Sequence, residues 1–234
     1  MPARLSIVMP TLNAAAVLPA TADALLEGVS SGLVRELVIS DGGSTDETRA
    51  VARELGAHWV EGAPGRGGQL RRGVEAATGD WLLLLHADTH PAPDWAKAVY
   101  DHMTSRPDEA GWFRLRFRAD GFAPRLVAGG ANLRSRYLGL PYGDQGLLIS
   151  RAQLEAVGGV PDLPLMEDVA LARALKGKLR PLGVHVTTSA QRYETDGWVK
   201  RVAMNLGTLA RYSLGADPTR LKLRYEKTRR ANGR

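Results

Sequence analysis

Cysteine is absent from this 234-residue chain, and its absence removes several kinds of chemistry. Without cysteine there is no disulfide, no thiolate metal site and no thiol nucleophile, and a reducing cytosol suits such a chain. Long apolar runs are also missing, since no stretch approaches the roughly 18 apolar residues of a membrane-spanning helix. The first apolar run meets Pro10 and is too short for a secretion signal. We therefore expect a cytoplasmic protein.

Two glycine-rich nucleotide motifs are lacking as well. The dinucleotide motif G-x-G-x-x-G is expected directly after a first strand, where this chain has PTLNAA. Gly65 and Gly67 begin a similar pattern, but Leu70 stands where its last glycine belongs. A phosphate-binding loop that ends in Gly-Lys-Ser/Thr is not found either. The sequence thus lacks the fingerprints of a dinucleotide enzyme and of a P-loop NTPase.

The first 90 residues alternate short apolar runs with segments of helical pattern, in the order β-α-β-α-β-α-β. This order with short connections is typical of α/β proteins, in which helices cover both faces of a mostly parallel sheet. Four consecutive leucines fit a strand that is buried on both faces. The predicted strands are 5–9, 36–40, 57–61 and 81–85, and the predicted helices are 14–29, 44–55 and 69–77.

Beyond residue 90 the pattern is less regular and predicts a smaller mixed part. Residues 112–120, WFRLRFRAD, alternate apolar and basic side chains, which predicts a half-exposed antiparallel strand. Residues 198–214 predict an amphipathic helix whose apolar stripe includes Leu206 and either packs on the domain or contacts a membrane. The other predicted helices are 94–105, 123–139, 151–157 and 165–175, and the other predicted strand is 145–150.

Positive charge is concentrated at the C-terminal end. The chain has a net charge of +6, and residues 218–234 hold seven basic side chains against Glu226. We expect one domain over 1–217, followed by a basic tail at 218–234. The tail is expected either to be a solvated terminus or to attach the protein peripherally to an anionic membrane surface. The body is neutral, so no nucleic acid partner is expected.

Polar side chains follow three of the predicted strands. Asn13 follows the first strand, Asp41 the second and Asp88 the fourth. Each of them alone could be a turn or cap residue. Ligands of open parallel sheets bind at the carboxyl ends of the strands, so the three together predict a shared ligand site.

Five segments carry a resemblance to a known family: SIVMPTLNAA, LVISDGGSTDET, GRGGQLRRGVEAATGDWLLLLHADT, YGDQGLLISR and LPLMEDVALA. They resemble the family 2 glycosyltransferases of the GT-A fold, in particular the small single-domain bacterial members. The resemblance spans roughly residues 4–195 and implies a nucleotide-binding half (1–90) and an acceptor half (91–217). It also implies inverting transfer of a sugar from a nucleoside diphosphate sugar, expected to be a UDP-sugar, with Mg²⁺ or Mn²⁺ as cofactor. The acceptor is unknown, and a lipid-linked one is an open expectation.

The resemblance assigns residues to the nucleotide. Pro10, Thr11 and Asn13 match the segment that lines the nucleotide pocket, and Asp41 matches the acid that contacts the base. Gly42 stands where the family commonly has a second acid, a departure that affects recognition of the base and ribose.

His86-Ala87-Asp88 occupies the place of the family's DxD motif, with His86 instead of the first acid. A hard cation stabilises the departing diphosphate and needs only one or two carboxylates, because phosphate oxygens and water supply its other ligands. Ala87 and Asp88 are therefore expected at the donor, with Asp88 on the metal. His86 is a poor match for Mg²⁺ and is expected to support the metal or pack on the nucleotide. The alternative is that Asp88 caps a helix beginning near Pro91.

Arg66 and Gln69 are expected at the donor phosphates, because backbone amides, the helix dipole and arginine all attract phosphate at a helix start. Arg66 is preferred among the nearby arginines because it lies in the predicted loop.

Glu167 and Asp168 match the family's ED motif, which implies that Asp168 is the general base and Glu167 a supporting acid. In isolation, acids in a first helical turn simply complement the helix dipole. Asp144, Gln145 and Arg192 are expected on the acceptor or sugar side, with a plain turn or a surface position as the alternative for each.

Two other classes of function stay open at this point. A metal-dependent nucleotidyltransferase would share the sheet and the cation, but it usually needs a basic glycine-rich loop after the first strand. A non-catalytic basic protein that binds membrane or nucleic acid would depend on residues 218–234 alone.

Overall fold

The computed structural model describes residues 4–224. Within them it contains one eight-stranded sheet, nine α-helices up to residue 213 and a further helical segment at 218–224. The strands are β1 Leu5–Thr11, β2 Val34–Asp41, β3 His58–Glu61, β4 Trp81–Leu84, β5 His90–Pro91, β6 Ala110–Phe117, β7 Leu147–Ser150 and β8 Leu179–Thr188. The helices are α1 Leu18–Ser30, α2 Thr48–Glu54, α3 Arg66–Ala76, α4 Trp95–Ser105, α5 Phe122–Leu138, α6 Arg151–Ala156, α7 Glu167–Ala174, α8 Gln191–Asp196 and α9 Trp198–Ser213, with a 3-10 helix at Gly143–Gln145. None of the helices described is both long and apolar enough to cross a bilayer.

The sheet confirms the α/β prediction. Its strand order is β3-β2-β1-β4-β7-β6-β8-β5, and β3, β2, β1 and β4 run parallel. Strands from both predicted halves therefore belong to one sheet. The carboxyl ends of β1, β2 and β4 lie along one edge, as the ligand-site prediction requires.

The leucine run of β4 divides between two cores. Leu83 and Leu85 pack with α1 and α4 on one face of the sheet, whereas Leu82 and Leu84 pack with α3, α6 and α7 on the other. Each fully buried leucine stabilises the fold by about 1.5–3 kcal/mol relative to an exposed one. This double burial fixes the position at which the chain leaves β4.

The prediction for residues 112–120 is partly wrong. β6 pairs antiparallel with β7 at Gly111 and Trp112, but it runs parallel to β8 along most of its length. The predicted alternation is correct from residue 113 on, because Arg114 and Arg116 are exposed while Phe113, Leu115 and Phe117 are buried. The alternation of apolar and polar side chains shows which face of a strand is exposed to solvent, but not the direction of the neighbouring strand.

Several element boundaries differ from those predicted. Helix α1 begins at Leu18 instead of residue 14, because residues 15–17 form a turn; Asn13 before it takes a left-handed conformation with φ 52°. Arg66 was predicted in a loop, but it is the first residue of α3. Helix α4 begins at Trp95, so Asp88 does not cap it and that alternative is wrong. β5 and α8 were not predicted, since both are very short.

The C-terminal helix is confirmed. Leu206 lies on the stripe that was expected either to pack on the domain or to contact a membrane, and it is 55% exposed. Residues 218–224 are helical and Leu221 is buried, so this part of the predicted tail is ordered and packed. The rest of the predicted tail, residues 225–234, lies outside the described residues.

Candidate active site

The ends of β1 and β2 are tied together by side chains. Thr11 lies opposite Asp41 in the parallel register, and Thr11 Oγ1 donates a 2.8 Å hydrogen bond to Asp41 Oδ1. Asn13 Oδ1 accepts a 2.9 Å hydrogen bond from the Thr45 amide, and the Asn13 amide donates to Ser44 Oγ. The predicted nucleotide segment therefore forms one rigid unit with the loop after β2.

Asp41 is buried and organises that loop. Its carboxylate accepts four hydrogen bonds, from Thr11 Oγ1, Ser44 Oγ and the amides of Gly43 and Ser44. Burial alone would raise the pKa of Asp41, but the hydrogen bonds of Ser44, Thr11 and Gly43 outweigh burial and lower it. A carboxylate offers about four lone-pair sites, so all of them are occupied. Asp41 can therefore contact the base of a nucleotide only if one of these four hydrogen bonds opens.

Pro10 and Gln69 lie behind this unit. Pro10 is a half-buried residue of β1 opposite Ser40. Gln69 Nε2 donates to the carbonyl oxygens of Thr11 (2.6 Å) and Ser40 (3.0 Å), and Gln69 Oε1 accepts from the Gly65 amide. Gln69 thus joins α3 to the ends of β1 and β2, which fits a structural role. Its contact with the donor phosphates stays a prediction.

The chain leaves β4 through a turn that presents Asp88. The carbonyl oxygen of the buried Ala87 accepts a 2.5 Å hydrogen bond from Thr21 Oγ1. The carbonyl oxygen of Asp88 accepts from Arg118 Nη2 at 3.0 Å. Both carbonyls are held by neighbours, which fixes the turn. The half-buried Asp88 carboxylate forms no hydrogen bond or ion pair with residues 4–224.

Asp144 is a second acid at this place and lies in the 3-10 helix before β7. Its Oδ1 is buried and has no hydrogen-bond partner among the described residues. Burial, opposed by the Arg134 guanidinium and reinforced by the charges of Asp168 and Asp88, raises the pKa of Asp144 to about 6. Asp144, Asp168 and Asp88 therefore share one acidic region.

Asp168 is held in a fixed orientation at the start of α7. Its Oδ2 accepts a 2.9 Å hydrogen bond from the Gly143 amide, and its Oδ1 accepts from the Val169 amide at 2.8 Å. Glu167 points elsewhere: its side chain is 2% exposed, and its Oε1 lies 3.7 Å from Arg66 Nη1. Burial, reinforced by the charge of Asp168 and opposed by Arg66, raises the pKa of Glu167 to about 7. The two adjacent acids thus occupy different environments, as the helical geometry requires.

His86 is a further titratable residue of this region. Burial and the positive charges of Arg66 and Arg192 lower the pKa of His86 well below its ordinary value, so the ring is neutral at pH 7. A methyl group added at Gly143 would lie 2.7 Å from His86 Nε2 and 3.6 Å from Asp168 Oδ2. His86 and Asp168 therefore face the same glycine, and Arg66 and Arg192 bring positive charge to the acidic region.

Gln145 does not fit the predicted contact with sugar hydroxyls. Its side chain is fully buried, and its Oε1 accepts hydrogen bonds from Ser135 Oγ at 2.6 Å and Arg134 Nη2 at 3.2 Å. Its Nε2 donates to the carbonyl oxygen of Phe113 at 3.2 Å. Gln145 instead holds the 3-10 helix against β6 and α5.

Arg134 and Tyr142 are residues of the site that the sequence did not single out. The Arg134 guanidinium carbon lies 3.4 Å from the centre of the Tyr142 ring, and Arg134 acts on the charge of Asp144. Arg134 lies in α5 outside any motif, so no local signal identified it. Tyr142 was visible as the start of YGDQG, but its stacking on Arg134 of the preceding helix was not.

The acidic region fits a hard divalent cation. The carboxylates of Asp88 and Asp144 are oxygen ligands of the kind that Mg²⁺ and Mn²⁺ bind, and Asp144 Oδ1 is buried without a partner in the described part. Within residues 4–224 no three histidine, aspartate or glutamate side chains form a complete metal cage. The protein ligands thus suit a cation that takes its other ligands from a diphosphate and water.

Comparison with known sequences gives matches to one family and to mycobacterial relatives. The sequence model of the family described as Glycosyl transferase family 2 matches residues 6–146, more than half of the chain. A PGL/p-HBAD biosynthesis glycosyltransferase of Mycobacterium bovis (strain BCG / Pasteur 1173P2) is 44% identical over 90 residues, 36% of this chain and 34% of that protein. A glucosyl-3-phosphoglycerate synthase of Mycobacterium tuberculosis (strain ATCC 25618 / H37Rv) is 36% identical over 93 residues, 36% of this chain and 28% of that protein. The match thus spans about a third of these relatives or less.

Solved structures share the fold. The crystal structure of M. tuberculosis glucosyl-3-phosphoglycerate synthase in complex with Mn²⁺, UDP and phosphoglyceric acid has a TM-score of 0.56 at 24% identity and covers 76% of this chain and 68% of that one. The complex of the same enzyme with Mn²⁺ and UDP-glucose has a TM-score of 0.56 at 22% identity, covering 87% and 78%. This likeness confirms the GT-A fold.

Proposed function

The chain belongs to glycosyl transferase family 2, and from that membership we propose that it transfers a sugar, with inversion, from a UDP-sugar to an acceptor hydroxyl. The observation that carries the proposal is the convergence of three acids and two arginines at the carboxyl edge of the sheet. Asp88, Asp144 and Asp168 supply the acids, and Arg66 and Arg192 lie beside them. Metal, diphosphate and acceptor each have a matching group in this set.

The donor nucleotide is assigned to the unit formed by the ends of β1 and β2. Thr11, Asn13 and Asp41 are fixed there by the hydrogen bonds described above, so the pocket wall is preorganised before a ligand arrives. UDP is the proposed nucleotide, because solved relatives of the same fold were crystallised with UDP or UDP-glucose. Arg66, at the first position of α3, is placed to attract the diphosphate through its own charge and the helix dipole.

Asp88 and Asp144 are the side chains proposed to hold a Mg²⁺ or Mn²⁺ ion. A bound divalent cation would neutralise the negative charge that develops on the departing diphosphate. The Asp88 turn is fixed by Thr21 and Arg118, which keeps the carboxylate at the end of β4. Relatives crystallised with Mn²⁺ or Mg²⁺ support this assignment.

Asp168 is proposed as the general base. The acceptor oxygen attacks the anomeric carbon from the side opposite the diphosphate; a new carbon–oxygen bond forms as the bond to the diphosphate breaks. The hydroxyl proton passes to the Asp168 carboxylate. An aspartate is a weak base, but it suffices because the hydroxyl becomes acidic as the oxocarbenium-like sugar develops. Glu167 is buried beside Arg66 and is proposed to position α7 at the site.

The acceptor is proposed to approach over Asp144 and α8, where Arg192 brings a positive charge. A lipid-linked acceptor and attachment of the basic C-terminal residues to an anionic membrane belong to this proposal. They rest on the charge of residues 218–234.

The test is a donor panel with purified full-length protein. UDP-, GDP- and dTDP-sugars are compared with Mn²⁺ present, with nucleoside diphosphate release as the readout and product anomeric configuration measured by NMR. We expect Mn²⁺-dependent release of UDP and inversion at the anomeric carbon. Retention of configuration, or release of pyrophosphate from a nucleoside triphosphate and a sugar phosphate, would overturn the proposal; the second result identifies a nucleotidyltransferase.

A further inference from the structure

Helix α5 exposes a stripe of large apolar side chains. Phe122, Leu126, Leu133 and Tyr137 are 79%, 61%, 57% and 73% exposed. Their spacing of four, seven and four residues places them on one face of the helix. Gly129 lies on the same face, between the two leucines, and is also exposed. Scattered exposed leucines are normal, but a continuous apolar face of this length marks a site of contact.

Helix α9 and the residue after it carry a second exposed stripe. Val199, Leu206 and Leu214 are exposed and recur every seven or eight residues. The two helices contact each other, since Val127 of α5 and Trp198 of α9 belong to one apolar cluster. Within it, Trp198 stacks on Tyr193 of α8 with ring centres 4.8 Å apart. We call the exposed residues of these two stripes the α5–α9 surface.

The charged residues of the two helices themselves are all basic. Neither residues 122–138 nor residues 198–214 contain an aspartate or glutamate. Arg125 and Arg136 of α5 are exposed beside the first stripe, as are Lys200 and Arg211 of α9 beside the second. The segment 218–224 packs on α9 through Leu221, forming a small cavity with Arg211 and Arg224, and it adds three further basic residues. The surface is therefore apolar and cationic at once.

An apolar surface with basic residues favours one of the partners that could cover it. Two copies of the chain meeting through it would bring like charges together, which is unfavourable in a symmetric interface. The remaining segment of the chain, YEKTRRANGR (225–234), is itself basic and offers Tyr225 as its one large apolar residue. A surface of anionic lipid complements both properties, since it accepts apolar side chains and attracts arginine and lysine.

We propose that the α5–α9 surface binds the interface of an anionic bilayer, with α5 lying in the membrane plane. The 17 residues of α5 extend about 25 Å, and its leucines would enter the acyl boundary while Phe122 and Tyr137 lie at the headgroups. This site of contact differs from the basic C-terminal residues, because it depends on apolar insertion by a folded helix.

The position of α5 connects this contact to catalysis. Helix α5 ends at Leu138, four residues before Tyr142, and its Arg134 stacks on the Tyr142 ring and donates to Gln145 Oε1. Binding through α5 therefore brings the 3-10 helix of Asp144 close to the lipid surface, where a lipid-linked acceptor hydroxyl would be presented. This consequence rests on the proposed function; the membrane contact itself does not.

The test is co-sedimentation of the full-length protein with vesicles of phosphatidylcholine containing 30% phosphatidylglycerol, or with pure phosphatidylcholine, as a function of salt. We expect binding to the anionic vesicles that weakens but persists at high salt, because apolar insertion is not screened. Replacing Leu126→Gln together with Leu133→Gln should lower vesicle affinity by about tenfold or more. Replacing Arg125→Glu together with Arg136→Glu should lower it by about tenfold as well.

The matched control is Leu26→Gln with Val29→Gln on α1, since these residues are 55% and 56% exposed on a different helix; its vesicle affinity should not change. Binding of UDP with Mn²⁺ is measured in every variant and should stay at the wild-type level, which separates this test from the donor panel. The proposal is overturned if the wild-type protein does not co-sediment with anionic vesicles, or if both α5 variants bind these vesicles with the affinity of the wild type. It is equally overturned if size-exclusion chromatography shows a dimer that the leucine variant dissociates while vesicles are not bound.

Discussion

The Gly143 amide donates a 2.9 Å hydrogen bond to Asp168 Oδ2 and thereby fixes the carboxylate assigned as the general base. We expect Asp168→Asn to lower kcat by about 10²- to 10⁴-fold, because the asparagine side chain cannot take up the proton of the attacking hydroxyl group. Binding of UDP with Mn²⁺ should be nearly unchanged, since the substitution leaves the nucleotide unit of β1 and β2 intact. The two quantities are measured by UDP release and by calorimetry, and full activity of the variant would contradict the assignment.

Gly143→Ala tests the same relationship without touching the base. The added methyl group would meet His86 Nε2 at 2.7 Å, so the 3-10 helix or the histidine must shift and the bond to Asp168 must weaken. A displacement of about 1 Å at a reacting group costs on the order of 10²-fold in rate. Gly129→Ala is the control, because a methyl group there meets open space in a helix and should leave soluble activity intact. Equal activity of both alanine variants would show that the bond has no catalytic role.

Asp88→Asn is expected to weaken the metal-dependent part of nucleotide binding. Loss of one charged ligand should cost about 2 kcal/mol, or roughly thirty-fold in the Kd of UDP with Mn²⁺. Calorimetry with EDTA in place of Mn²⁺ should give the same weak affinity for variant and wild type. Asp80→Asn is the matched control, since Asp80 precedes β4 at the opposite edge of the sheet and pairs with Arg4. If Asp88→Asn behaves like Asp80→Asn, Asp88 does not hold the cation.

The positions of the site residues could be predicted where they follow strand ends. Thr11, Asp41 and Asp88 were placed correctly at one edge, because apolar runs mark the strands and a parallel sheet aligns their carboxyl ends. The roles of individual atoms could not be predicted in the same way. Asp41 and Gln69 carry the expected residue types, yet their hydrogen bonds are made with the protein itself, and pairing of this kind depends on side-chain directions that no pattern encodes.

The later half of the chain was harder to predict for a different reason. β6 takes a parallel partner 65 or more residues away, and Arg134 of α5 stacks on Tyr142 in the segment after the helix. Such contacts are set by how elements pack, and periodicity reports only which face of each element is apolar. Leu206 illustrates the limit: its helical stripe was recognised, but the sequence does not state whether such a stripe meets protein or solvent.

Glu167 should make the protein less stable at alkaline pH. Its pKa rises from an ordinary value of 4.5 in the unfolded chain to about 7 in the fold, so the folded state binds a proton more tightly. Stability is therefore lost as pH rises from about 4.5 through 7. Glu167→Gln removes this loss and should be more stable than the wild type by about 3 kcal/mol at most at pH 8.5, with little difference at pH 4.

Urea unfolding at the two pH values measures this difference. The exposed α6 residue Glu155 provides the control, and Glu155→Gln should follow the wild type at both. A Glu167→Gln variant that is less stable than the wild type at pH 8.5 would mean that Arg66 stabilises the ionised carboxylate. That result would contradict the expectation that ionisation of Glu167 lowers the stability of the fold.

Asp41→Asn should destabilise the fold at neutral pH, in the opposite direction to Glu167→Gln. The Asp41 carboxylate accepts two hydroxyl and two amide hydrogen bonds; asparagine can keep the two amide bonds, and the hydroxyls can rotate to accept from its NH₂ group. What is lost is the negative charge that strengthens all four, which we expect to cost about 2 kcal/mol at pH 7. Because the folded-state pKa of Asp41 is lowered, the stabilisation is complete above the unfolded value of about 4 and disappears as pH falls through the folded one. The difference between variant and wild type should therefore shrink between pH 5 and pH 3, as measured by urea unfolding.

The exposed α1 residue Asp23 supplies the control Asp23→Asn, which should not change stability at pH 7. A gap that stays constant down to pH 3 would show that packing, and not the charge of Asp41, holds the loop after β2 to the end of β1.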